Sequence, residues 1–269
     1  MNGIASTPPK KEVRRAFDRA AHTYDAAARV QRETARHLLE FARQSARNRL
    51  SPETVRTLLD AGCGTGQALS GLAAHFPQAQ RIALDFSAAM LARACLVAPD
   101  VLPVCADLER LPLPDDTIDL YWSNLALQWC NPADTFREVA RVLSPSGEAW
   151  IATLGPRTLY ELRAAFSAVD NGDHLIDFTA LDTWIAAARD AGLSIQSCAQ
   201  EQIHDFAADL RTLLAKIKEI GASAIGEKRR FLGRRGWQTL QSAYEGFRRP
   251  DGTLPATYDL FLFVLKKSS

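Results

Sequence analysis

The run Leu58-Leu59-Asp60-Ala61-Gly62-Cys63-Gly64-Thr65-Gly66-Gln67 constrains the fold more than any other stretch of the chain. Two apolar residues and an aspartate close a buried strand, and three glycines spaced one residue apart follow. Glycine has no Cβ, so it reaches positive φ without steric penalty and lets a flat ligand lie against the backbone. The spacing predicts a tight turn into a helix that begins near Gln67. A dinucleotide-binding turn reads G-x-G-x-x-G. Here the last position of that pattern falls on Gln67, which disfavours a pyrophosphate ligand.

The rest of the chain alternates strand and helix around this turn. Residues 10–47 read as helical and Ala/Arg-rich, with a break near Tyr24. Strands are predicted at 56–61, Arg81–Asp85, Val101–Cys105, Thr117–Asn124, Glu148–Leu154, Leu193–His204 and Tyr258–Lys266. Helices are predicted at 67–75, Ala88–Ala94, Pro132–Leu143, Arg157–Val169 and Thr179–Ala191. In the third of these, Phe136, Val139, Ala140 and Leu143 share one face. Ser144-Pro145-Ser146-Gly147 reads as a turn. Regular β/α alternation predicts an α/β fold with a doubly wound, mostly parallel seven-stranded sheet. An insertion from Phe206 to Thr253, read as two helices around a loop from Gly221 to Gly236, precedes the last strand. Long insertions in compact α/β units are usually functional, so this one is expected to be a lid. The expected division is a helical cap (1–50), a core (51–205), the lid (206–253) and the final strand (254–269).

Acids fall at the strand ends, where ligands bind in an open α/β sheet. Asp85 can accept both hydroxyls of a ribose through its two oxygens. Asp107 can take an adenine amino group, and the Leu108 amide can face a ring nitrogen. Asp60 can reach a ligand's amino group, directly or through water. Asn124 closes the fourth strand at the same crevice. Gly62, Gly64 and Gly66 supply the floor. Trp122 and Trp129 read as packing around the adenine or the fourth strand.

This ordered set, from Leu58 to Trp129, resembles the class I S-adenosylmethionine-dependent methyltransferases. Segments outside it narrow the likeness. Phe17-Asp18-Arg19-Ala20-Ala21-His22-Thr23-Tyr24-Asp25 is similar to an N-terminal cap whose tyrosine closes over the methionine end of the cofactor. Asn124-Leu125-Ala126-Leu127-Gln128-Trp129, Lys216-Ile217-Lys218-Glu219-Ile220-Gly221-Ala222 and Leu254-Pro255-Ala256-Thr257-Tyr258 complete the pattern. Together they resemble the malonyl-acyl-carrier-protein O-methyltransferases of biotin synthesis, over about Phe17 to Lys266. The resemblance implies methylation of the free carboxylate of a malonyl thioester on acyl carrier protein.

Charge and composition bear on this expectation. Nearly half the residues are apolar, enough for a sizeable core, and the net charge is only +1, which argues against a general nucleic-acid or membrane-surface protein. Between Arg211 and Arg249, however, ten basic residues face three acids. Such a lid suits an acidic partner, although a solvated helical surface accounts for it equally well. With the resemblance, Arg211, Lys218, Arg229, Arg230 and Arg234 become candidates to dock the carrier protein. Cys63, Cys95, Cys105, Cys130 and Cys198 are scattered and odd in number. They suggest reduced, cytoplasmic thiols and no metal site. The first ten residues lack the apolar core of a signal peptide, and no apolar run is long enough for a membrane span.

A malonyl carboxylate is already ionised at neutral pH, with a pKa near ~4, so it needs no general base. His22, His37, His75, His174 and His204 are isolated in sequence and read as surface or helix residues, His174 being the one retained as a catalytic alternative. The anion still has to be held, and Tyr24, Lys218, Tyr258 and Arg157 are the candidates. A small-molecule carboxylate or quinone-type methyltransferase would share every core motif. A cofactor-binding scaffold without catalysis is the alternative from another class. Ser123-Asn124-Leu125-Ala126 stands where nucleic-acid amino-methyltransferases carry Asn/Asp-Pro-Pro-aromatic.

Overall fold

The computed structural model describes residues 9–45, 50–170, 172, 174–219 and 232–268. Before the sheet come α1 (Lys10–Ala20), α2 (Tyr24–Ala27) and α3 (Arg29–Gln44). Strands β1 (Thr57–Ala61), β2 (Gln80–Asp85), β3 (Leu102–Cys105) and β4 (Ile118–Asn124) follow, with α4 (Leu69–His75) and α5 (Ala88–Val97) between them. Then come α6 (Pro132–Val142), β5 (Leu143–Leu154), α7 (Tyr160–Ser167), α8 (Leu181–Asp190) and β6 (Leu193–Ala207). The chain closes with α9 (Leu210–Ile217), α10 (Arg234–Glu245) and β7 (Leu254–Lys267).

The seven strands form one sheet in the order β3-β2-β1-β4-β5-β7-β6. Strands β1 to β5 pair in parallel, and β7 runs antiparallel between β5 and β6. The strand order reverses between β1 and β4, which opens a crevice at their carboxyl ends. Gly62 and Asn124 stand there. The expected doubly wound, mostly parallel sheet is therefore the one observed.

Alternation along the strands builds two cores. In β7, Leu260, Leu262 and Val264 join one buried cluster with Leu38, Trp122 and Trp150, while Phe261, Phe263 and Leu265 join another with Phe136 and Trp184. A strand buried on both faces reads as a continuous apolar run. The period of two sends successive residues to opposite layers. Helix α3 covers the first face, and α6 with α8 cover the second. Asn131 caps α6 by accepting from the amides of Ala133 and Asp134. Among the described residues, no helix is long and apolar enough to cross a membrane.

Several boundaries differ from the sequence expectation. The last strand starts at Leu254, not Tyr258, because Leu254–Thr257 pair with His204–Ala207 of β6. The ladder with β5 ends at Leu260, so Pro255 lies where β7 has a neighbour on one side only, a place that tolerates a missing amide. The turn expected at Ser144–Gly147 lies inside β5. The register jumps from Ile118↔Leu143 to Leu120↔Glu148, so those residues form a bulge. Helix α7 begins three residues late because Leu159 takes φ +55° and Thr158 is tied to Asp259.

Trp184 is fully buried and meets Phe136 edge-on with ring centroids 5.4 Å apart. Trp184→Ala is expected to cost about 3–5 kcal/mol. Thermal unfolding should show a large drop in midpoint, while the remaining folded protein keeps its ligand affinity.

Candidate active site

The turn after β1 has the predicted backbone. Gly62, Gly64 and Gly66 sit at φ +78°, +54° and +83°. The amides of Gly62 and Cys63 both donate to the Leu84 carbonyl, at 2.8 and 3.0 Å. The Gly64 amide donates to Asp85 Oδ2 at 3.0 Å, and the Ser87 amide to Asp85 Oδ1 at 2.8 Å. Strand β2 thus holds the turn in shape through its last two residues. A Cβ on Gly62 would come within 2.3 Å of the Ala126 Cβ, so backbone from the two sides of the crevice meets here.

Three cavities open along the carboxyl ends of the strands, and Tyr24 lines all of them. The first runs past Gly62, Gly64, Asp85, Asp107, Leu108 and Asn124. Its empty space is about 660 Å³, counting the part open to solvent, which suits a nucleoside-sized ligand. Phe17 roofs it, edge-on to Phe86 and Trp129 at 6.2 and 5.8 Å. At its far end Lys10 pairs with Asp107 and Glu109 at 2.5 and 2.6 Å. Cys130 also lines it, and burial pushes that thiol up to about 12, so it stays a neutral packing group.

The second cavity is lined by Asp60, Gln31, Arg32, Gln67 and Asn124 among others. Asp60 Oδ2, Gln31 Oε1, Gln67 Oε1 and Asn124 Oδ1 are buried there with no hydrogen-bond partner. Burial, with Asp85 adding to it, pushes the Asp60 carboxyl from 3.8 up to about 8. Orphaned acceptors cost free energy unless a donor arrives. Four acceptors beside the Arg32 guanidinium match the ammonium and carboxylate of an amino acid. Asp85, raised by burial to about 6, keeps lone pairs for a ribose. Nucleoside groove and amino-acid cavity share Gly62, Gly64, Tyr24 and Asn124. The residues present therefore fit S-adenosylmethionine.

The third cavity is apolar. Leu154, Leu159, Leu175, Ile176, Phe178 and Ile217 supply much of its wall, with Tyr258, Gln31, Gln128 and Thr158 as polar members. Its empty space is about 630 Å³, again counting the open side. Tyr258 is buried, and burial together with Asp205 raises its phenol well above the usual range. Tyr24 is raised in the same way, chiefly by burial and then by Asp85.

The structure thus brings Tyr24, Asp60, Gly62, Gly64, Asp85, Asp107, Leu108, Asn124 and Tyr258 to connected cavities. Gly66 stands one step back, where an added Cβ would come within 3.0 Å of the Ala94 Cα. Trp122 is fully buried in the core. Arg157 and Lys218 are exposed and line none of these cavities. Arg211 is exposed, with its guanidinium 5.1 Å from the Trp237 ring centre, and Arg234 is exposed at the start of α10. Arg229, Arg230 and most of the expected glycine-spaced loop lie outside the described residues. His174 pairs with Asp170 at 2.6 Å and stacks on Phe166 at 4.1 Å, so its ring is engaged away from the cavities.

Gln31 and Arg32 are not singled out by the sequence, and Asp25 and Gln128 enter it only inside longer motifs, without roles of their own. Gln31 lies on α3 and Tyr24 on α2, with Ala28 breaking the helix between them, so no helical spacing in the sequence points to the pair. Asp25 Oδ1 accepts from Thr65 Oγ1 at 2.5 Å and Gln67 Nε2 at 2.6 Å. These bonds pin the segment bearing Tyr24 onto the glycine turn. Gln67, first noted for what it excludes, is thus a structural tie.

Known proteins place this geometry. A protein-family profile described as "Methyltransferase domain" matches residues 59–151. A malonyl-[acyl-carrier protein] O-methyltransferase of Dechloromonas aromatica is 42% identical, over 97% of this chain and 95% of that protein. The chain belongs to the malonyl-[acyl-carrier protein] O-methyltransferase family. The biotin biosynthesis bifunctional protein BioHC of Cellvibrio japonicus is 36% identical over 98% of this chain, which matches 51% of that longer protein. A geranyl diphosphate methyltransferase solved in complex with SAM superposes with a TM-score of 0.53 at 17% identity, covering 87% of this chain and 85% of that one. That likeness shows the fold. Family membership makes S-adenosylmethionine the methyl donor.

Gly62→Ala places a Cβ at positive φ and against Ala126. It should weaken S-adenosylmethionine binding by at least about tenfold in calorimetry, since such a site must either strain or shift. A second expectation concerns pH. The folded Asp60 holds a proton that the unfolded chain has released, so ligand-free stability falls as pH rises from about 4 to about 8. Asp60→Asn removes the Asp60 part of that slope, most visibly between about pH 6 and 8, above the range where Asp85, raised to about 6, contributes. Its unfolding midpoint at pH 8 should exceed the parent's, while its S-adenosylmethionine affinity is weaker and lacks the parent's rise between pH 6 and 8.

Proposed function

We propose that the protein methylates the free carboxylate of a malonyl thioester carried on acyl carrier protein, using S-adenosylmethionine. The methyl ester would serve as the primer for the dicarboxylate chain of biotin. One observation carries this reading: a single residue, Tyr24, lines both the donor cavities and an adjoining apolar pocket of acyl size.

The bound donor supplies an electrophilic methyl group on a sulfonium. The chain's own residues have to hold an anion beside it and keep water away. With phenols raised by burial, Tyr24 and Tyr258 remain protonated at any working pH. Both can donate to a carboxylate without deactivating it as strongly as a paired cation would. No lysine or arginine lines the acyl pocket among the described residues. Phe17, Trp129, Phe178 and Leu175 line it instead and exclude water, which favours a step in which opposite charges are consumed. Fixing both reactants in line can contribute roughly 7–11 kcal/mol. No histidine is needed as a base, because the nucleophile is already ionised.

The acidic carrier would meet the lid. Arg211, Lys218 and Arg234 are exposed and make no ion pair among the described residues. Arg248 and Arg249, by contrast, are paired with Glu245 and Asp251. Arg211, Lys218 and Arg234 are the proposed docking residues, and Arg229 and Arg230, the other two candidates, lie outside the described residues. Rim charges chiefly set encounter rate and salt sensitivity.

Labelled methyl transfer to malonyl-carrier protein, malonyl-coenzyme A and free dicarboxylic acids tests the reading. Transfer to the malonyl thioesters supports it, and transfer only to free acids overturns it. An R211E/R234E variant should lose about tenfold in kcat/KM on the carrier substrate at low salt. The loss should shrink as salt rises, and malonyl-coenzyme A turnover should change little.

A further inference from the structure

Gln128 lies on the short 3-10 turn Leu127–Trp129 and lines the acyl pocket. Its Nε2 donates to the Leu125 carbonyl at 2.7 Å. Leu125 sits at φ +53° and is held by its own amide to the Ala152 carbonyl at 2.9 Å. That bond fixes the amide of Gln128. Turned over, it would set oxygen against oxygen. The group left is Oε1, which only accepts, and it is buried with no partner. Thr158, another polar member of the pocket, is already spent. Its hydroxyl donates to the Asp259 carbonyl at 3.3 Å and accepts from the Asp259 amide at 3.1 Å.

An unpaired acceptor in an apolar wall favours a ligand N–H and opposes an anion. It is therefore unsuited to the malonyl carboxylate, which the two phenols can serve. A thiol arm derived from cysteamine carries a secondary amide a short spacer beyond its sulfur. On the reading above, that arm must run through this pocket behind the thioester. We infer that Gln128 determines specificity for the thiol arm, accepting a hydrogen bond from its amide. This inference rests on the proposed function and adds a rule to it: the enzyme reads the thiol arm, which stays attached throughout, as well as the acid.

The test compares two malonyl thioesters with the full-length protein. One is built on N-acetylcysteamine and the other on its oxygen isostere, in which an ester replaces the amide. The parent should favour the amide by about tenfold in kcat/KM, the usual scale for leaving a buried polar group unpaired. In Gln128→Met the preference should vanish, through a loss on the amide substrate alone, with S-adenosylmethionine affinity unchanged. A preference that survives in Gln128→Met overturns the assignment. If that variant does not fold, the parent alone decides, because equal turnover of amide and ester excludes an N–H contact. Protein that binds S-adenosylmethionine but methylates neither thioester would instead sink the functional reading, and this inference with it.

Discussion

The Leu84 carbonyl accepts from two successive amides, those of Gly62 and Cys63, and the site is referred to that contact. It bends the chain out of β1 along the end of β2, so the turn cannot move without the sheet. Asp85, the next residue, completes the restraint through the Gly64 amide. One carboxylate therefore shapes the turn and lines the adjoining cavity. Side chains would not fit at Gly62, where Ala126 approaches from the β4 side. The crevice is narrow because two strand ends converge on a backbone without side chains.

Much of this was legible before any coordinates. Glycine spacing specifies backbone angles directly, and an acid at a strand end has only one place to point in an open sheet. Those features depend on a few neighbouring residues. What was not legible depends on distant partners. Arg157 and Lys218 looked like anion holders from charge alone, yet exposure is decided by the loops and helices around them. Gln31 and Gln128 carry no charge, and Gln128 stands inside the Asn124–Trp129 stretch with no role of its own to read. Their importance comes from what their amide atoms lack, which is a property of the packed wall. The early start of the last strand at Leu254 depends on pairing with β6 alone, a distant partner with no local mark in the sequence.

Ligand-free, the site is expensive to maintain. Asp60 is buried beside Asp85, and several amide oxygens nearby have no donor. The two cores, with Trp122, Trp150 and Trp184 fully buried, supply the stability that lets such a site persist. Asp25 adds a local restraint, tying the cap to Thr65 and Gln67 at the point where the strand ends would otherwise be open.

Tyr24 has a consequence of a different kind. Its ring belongs to the walls of all three cavities, so a ligand that shifts this ring in one cavity alters a surface of the next. Any such shift links the affinities of the two ligands, and the factor by which one helps or hinders the other is the same in both directions. On the proposed function, this shared aromatic wall is where the two halves of a bisubstrate site would sense each other.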